Sequence, residues 1–145
     1  MFQQLMRVLS APEPERAPDL RLSVAVLLVE AARQDDSFDE KERAVIRRLL
    51  TEKFALSAGE CDELLKAGEA RAREITQLHG HTSAVFEQMT PEERVSLIEM
   101  LWEVAYADGV LDPEEDLLIR RVAGLIYVSD RDRVLARQRV LARKG

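Results

Sequence analysis

Two stretches of this chain, DLRLSVAVLLVEAARQ from Asp19 and PEERVSLIEMLWEVAYA from Pro91, are apolar nearly all the way round a helix. A helix without a polar face must be covered by neighbours on several sides, so each stretch demands its own surrounding helices. The 145 residues suffice for one such domain and its core. With 46% apolar and 33% charged residues, few aromatics and six glycines, the composition suits an all-α protein.

Start and stop signals divide the rest. Residues 1–18 comprise MFQQLMRVLS, an expected short helix with Phe2, Leu5, Met6 and Leu9 on one side, and the linker APEPERAP, whose three prolines forbid a helix. The helical domain is expected over 19–145. A second helix is expected from Asp39 with Val45, Ile46, Leu49 and Leu50 inward, and a third from the Ser57/Glu60 capping signal to about Gly80. LHGHTS then reads as a polar break, its His79 and His81 a weak H-x-H pair lacking a third metal ligand. Thr90 with Pro91 and Glu93, then Asp112 with Pro113 and Glu115, open two more helices, and Ser129 caps a last one. Its basic residues, Arg131 to Lys144, read as a solvated helix end rather than a patch for a partner.

The chain repeats itself. LLVEAARQDDSFDEKERAVIRRLL aligns without gaps to MLWEVAYADGVLDPEEDLLIRRVA at an offset of 73 residues. The matches include Glu30/Glu103, Asp35/Asp108, Asp39/Asp112, Glu42/Glu115, Arg47/Arg120 and Arg48/Arg121. The expectation is two three-helix repeats, about 19–79 and 90–145, related by a pseudo-twofold.

The matched acids carry the functional question. Asp39 with Glu42 and Asp112 with Glu115 are spaced as capping boxes, which needs no ligand. Asp35 and Asp108 sit at helix C-termini, where the dipole disfavours them, and Glu30 and Glu103 interrupt apolar runs. Positive charge is expected near these four. Either one arginine of each RR pair, Arg47 and Arg120, supplies it, or a hard divalent cation does. The stretch DGVLDPEE matches the latter half of a calcium loop at Asp108, Gly109, Leu111, Asp112 and Glu115, with Val104 and Tyr106 where further acids would stand. If the repeats bring their turns together, Asp35, Asp39, Asp108 and Asp112 can share one ion.

Other classes of function find less support. The net charge of −6 opposes nucleic acid and anionic membranes as partners. No run is long enough to span a bilayer and no secretory signal is recognisable, so a cytoplasmic protein is expected. Cys61 stands alone among acids and reads as a packing residue, as do Trp102 and Tyr106. Nucleophile triads, phosphate-cradling loops and dinucleotide fingerprints are missing, so no enzyme is expected, a metal-assisted hydrolase using the same carboxylates being the remote alternative.

The paired motif, AYADGVLDPEE in its better copy and AARQDDSFDEKE in its weaker one, resembles that of the tellurite-resistance protein TerB family, from about Asp19 to the C-terminus. The chain is similar to stand-alone bacterial TerB-like proteins. The resemblance implies a seven- to eight-helix bundle of two repeats and a link to bacterial stress response. It also implies divalent cation, calcium first, at Asp35, Asp39, Glu42, Asp108, Asp112 and Glu115. A TerB-like domain beside a co-chaperone's J-domain suggests contact with a protein partner. Asp36 replaces the glycine of the motif in the first copy. Partner identity and oligomeric state are open on these grounds.

Overall fold

The computed structural model describes residues 19–34, 38–74 and 77–144. These form seven helices: α1 (Leu20–Arg33), α2 (Glu40–Phe54), α3 (Ala58–Glu74), α4 (His79–Gln88), α5 (Pro91–Ala105), α6 (Pro113–Leu125) and α7 (Asp130–Lys144). No strand occurs among the described residues. The expected N-terminal helix lies outside them.

The two all-round apolar stretches become the two hubs. Every residue of α1 from Ser23 to Val29 is buried, with Ala31 and Ala32, because α2, α3, α4, α5 and α6 all pack on it. The second hub, α5, touches α1, α2, α6 and α7 and buries Leu97, Ile98, Leu101, Trp102 and Val104. Removing that much apolar surface from water is the main term holding the fold together. Exchanging α1 with α5, α2 with α6 and α3 with α7 leaves the set of touching pairs among these six helices unchanged.

Helix starts follow the sequence signals. Asp19 caps α1, Thr90 with Glu93 and Asp39 with Glu42 form capping boxes, and the Ser129 hydroxyl accepts the Asp132 amide at 3.1 Å. Just beyond α2 and α6 stands a residue in the left-handed region, Ala55 (φ 51°) and Tyr127 (φ 60°), with the next amide folding back to Thr51 and Ala123. Glycine is the usual occupant there, since a side chain costs about 1–2 kcal/mol. At Tyr127 the ring in return lies 4.8 Å from that of Phe86 and joins α6 to α4.

One element departs from expectation. The third helix does not run to Gly80; α3 ends at Glu74, and Gly80 lies inside α4. The segment read as a polar break is a helix that buries His81, Thr82, Ala84 and Val85. Its inward face is partly polar and so escapes a search for apolar periodicity, yet α1 supplies the matching polar group. His81 Nδ1 and Ser23 Oγ share a hydrogen bond of 2.9 Å, and the Thr82 hydroxyl donates to the Leu78 carbonyl at 3.2 Å. Paired in this way, buried polar groups need not destabilise.

Burial, reinforced by the charge of Arg71, holds the His81 pKa below its ordinary value of 6.5. The unfolded chain therefore takes up this proton first as pH falls, and the folded state loses stability below about pH 6.5. The stability gap between the protein and its His81→Gln variant, measured by urea unfolding from pH 8 to pH 5, is expected to narrow across that window. A constant gap would contradict a neutral, buried imidazole.

Candidate functional site

The acidic turns sit where hub helices end and the next helices begin. In the second, α5 stops at Ala105, and the Asp108 carboxylate accepts the Val110 amide at 3.1 Å. Gly109 turns the chain at φ +88°, a conformation a side chain strains, which accounts for the glycine in the motif. Asp112 then caps α6, accepting the Glu114 amide at 2.8 Å, while its own amide reaches Glu115 Oε1 at 3.4 Å. In the first turn the Asp39 amide donates to Glu42 Oε1 at 3.1 Å and the Glu42 amide to Asp39 Oδ1 at 2.9 Å. Glu42 and Glu115 are buried, whereas Asp39 and Asp108 are exposed.

Asp35 and Asp36 lie outside the described residues. Among those described, no three carboxylate, histidine or cysteine side chains gather to the spacing a metal ion needs, Asp39, Asp108 and Asp112 included. Four of the six expected ligands, Asp39, Glu42, Asp112 and Glu115, take part in capping boxes.

Positive charge does meet the half-buried Glu30 and Glu103, from Arg48 of the first RR pair and from arginines outside both pairs, not from Arg47 or Arg120. Arg47 pairs with Asp62 of α3, and Arg120 with Asp116 at 3.4 Å one turn away on its own helix. Among the described residues neither pairs with Asp39, Asp108 or Asp112 of the turns or with Glu30 or Glu103 of the hubs. The reason is direction: the RR pair faces outward from α2 and α6, and only Arg48 is placed to cross to α5. Its Nη2 lies 2.5 Å from Glu103 Oε2, and Arg143 of α7 holds the other oxygen at 2.8 Å. Arg143 also reaches Glu99 at 3.0 Å, with Arg139 3.3 Å from the same carboxylate. Arg139 and Arg143 thus tie α7 to α5 while remaining about half exposed to solvent.

The equivalent glutamates differ accordingly. Burial pushes Glu103 up, but the hydrogen bonds from Arg48 and Arg143 outweigh it and hold the carboxyl below its ordinary range. Glu30 is raised, since burial there is opposed only by Arg33 at 3.3 Å on the same helix. Trp102 and Tyr106 are core residues, as their spacing suggests, and Cys61 is buried with its thiol against the Arg47 carbonyl at 3.6 Å.

The surroundings of the turns also diverge. At the repeat offset, Arg33 and Arg43 beside the first turn correspond to Tyr106 and Asp116 beside the second. The first turn carries arginine at both positions and the second at neither, though Arg137 and Lys144 reach Tyr106 and Arg120 reaches Asp116. Sequence alignment places these positions, but only the folded helices show that Arg73 of α3 joins Arg33 and Arg43 around one cavity with Phe38 and Glu69.

An all-helical domain with two hub helices, each followed by an acidic turn and a capped helix, is the class these features define. Residues 21–138 match the family model described as tellurite resistance protein TerB. The chain belongs to the TerB family. No curated protein and no solved structure matched it. No helix among the described residues is long and apolar enough to cross a membrane.

Proposed function

We propose that this TerB-family domain is a cytoplasmic, non-enzymatic binding module of bacterial stress response whose second acidic turn engages calcium, or another hard divalent cation, at the contact with a partner protein. The observation that carries this reading is the turn itself. Gly109 in the left-handed region turns the chain directly after the exposed Asp108, four residues before the Asp112/Glu115 start of α6, the order that the latter half of a calcium loop requires. Four or five oxygens of a hard-cation shell must then come from elsewhere, from Asp35, from water or from carboxylates and carbonyls of a partner. Asp36, standing where the second copy has Gly109, makes the first turn the weaker half.

A second reading, a helical adaptor that works without cation, is favoured by the roles the acids already have: capping at Asp39, Glu42, Asp112 and Glu115, and arginine pairing at Glu103. Calorimetric titration of metal-stripped protein with calcium separates the two. Under the first, heat and a rise in melting temperature are expected, lost in Asp108→Asn/Asp112→Asn and only reduced in Asp35→Asn. No heat and no thermal shift would leave the adaptor.

A further inference from the structure

We infer that Arg33, Arg43 and Arg73 form a binding site for a phosphate group, free or carried as a monoester on a small molecule. The three guanidinium groups come from the last turn of α1, the first turn of α2 and the last turn of α3, and they line one cavity of about 200 Å³ together with Phe38 and Glu69. In a chain of net charge −6, three cations converging on one cavity call for an explanation. Arginine near a helix C-terminus suits the dipole, which accounts for Arg33 and Arg73 singly. It does not account for their meeting a third arginine from a helix N-terminus, where the dipole favours acids instead.

The site is partly organised in advance. Arg43 rests over the Phe38 ring, 4.4 Å from its centre, and pairs with Glu69. Arg73 is fixed by its Nε, which donates to the Glu69 carbonyl at 3.3 Å, and no carboxylate among the described residues pairs with it. Arg33 makes a single contact with Glu30 at 3.3 Å. Glu69 is the one acid in the cavity wall among the described residues, and Arg43 neutralises it. Arg43 also lies 3.7 Å from Glu40, so Arg73 is the one of the three with no carboxylate partner among the described residues, and an oxyanion held by it would be met by the remaining donors of Arg33 and Arg43. Guanidinium forks match phosphate oxygens in charge and in spacing. This inference stands apart from any cation at the acidic turns.

Titration of the full chain at low ionic strength with inorganic phosphate and with glycerol 1-phosphate, followed by calorimetry and amide NMR, tests it. Saturable binding of one ligand per chain is expected, weakened at least about tenfold by Arg73→Gln or Arg33→Gln, the range a lost charged hydrogen bond gives. Arg73 is exposed, so its variant should keep the fold, which circular dichroism checks. Arg120→Gln, on α6 and outside the cavity, should bind as the parent does. Tighter binding of the monoester would identify an esterified phosphate as the ligand, and tighter binding of inorganic phosphate the free ion. No saturation up to about 10 mM, or an equal loss in Arg120→Gln, would overturn the assignment.

Discussion

Trp102→Ala should lower the free energy of unfolding by about 3–5 kcal/mol, the range for emptying a buried large aromatic site. The indole is 1% exposed, lies 6.1 Å from the Tyr106 ring and sits under the Arg137 guanidinium at 5.6 Å. Its Nε1 donates to the Arg133 carbonyl of α7 at 3.1 Å, so the side chain joins packing within α5 to the docking of the last helix. Truncation leaves a cavity and removes the hydrogen bond to α7 together. Trp102→Phe retains much of the volume but loses the hydrogen bond, and should fall between, at about 1–3 kcal/mol. Urea unfolding followed by circular dichroism measures both. A loss below about 1 kcal/mol for the alanine variant would mean that α7 contributes little to the cooperative unit.

Gly68→Val is expected to destabilise by about 2–3 kcal/mol, although replacing a mid-helix glycine ordinarily stabilises a helix. A Cβ at position 68 would meet the Ala25 Cβ at 3.0 Å and its carbonyl carbon at 3.4 Å, so α3 can lie this close to α1 only without a side chain. Ala25 is wholly buried, and backbone cannot give way as the tip of a long side chain does. Gly124 of α6 supplies the contrast, because a Cβ there meets nothing within 4 Å. Gly124→Ala should raise stability by about 0.5–1 kcal/mol. Opposite signs at the two glycines, read from urea midpoints at equal slope, would establish the close crossing; equal signs would refute it.

Arginine pairing was legible in kind and misread in detail. Two glutamates inside apolar runs required positive charge, and both have it. Which arginine arrives depends on helix rotation and on which helices adjoin: Arg48 rather than Arg47 crosses from α2 to Glu103, and Arg143, forty positions away in sequence, completes the pair. Spacing along a chain carries no information about either. The consequence for Arg120 is that its substitution by alanine, removing an exposed pair one turn long, should cost only about 0.3–0.5 kcal/mol.

Helix α4 shows the same limit from another side. Its buried positions are a histidine and a threonine beside alanine and valine, so the local text looked like a loop. Only Ser23 on α1 makes burial of His81 tolerable, and that partner is 58 residues away.

By itself, the sequence determined the helical class, the two hubs, the helix starts other than that of α4, and the family. Apolar periodicity and capping act within a few residues, so they can be read locally. Tertiary structure alone decided that polar residues of α4 face the core, that Arg48 and Arg143 share Glu103, and that Arg33, Arg43 and Arg73 surround one cavity. Those outcomes depend on which helices cross and at what rotation. Packing density and the pairing of buried charge settle that across the whole chain.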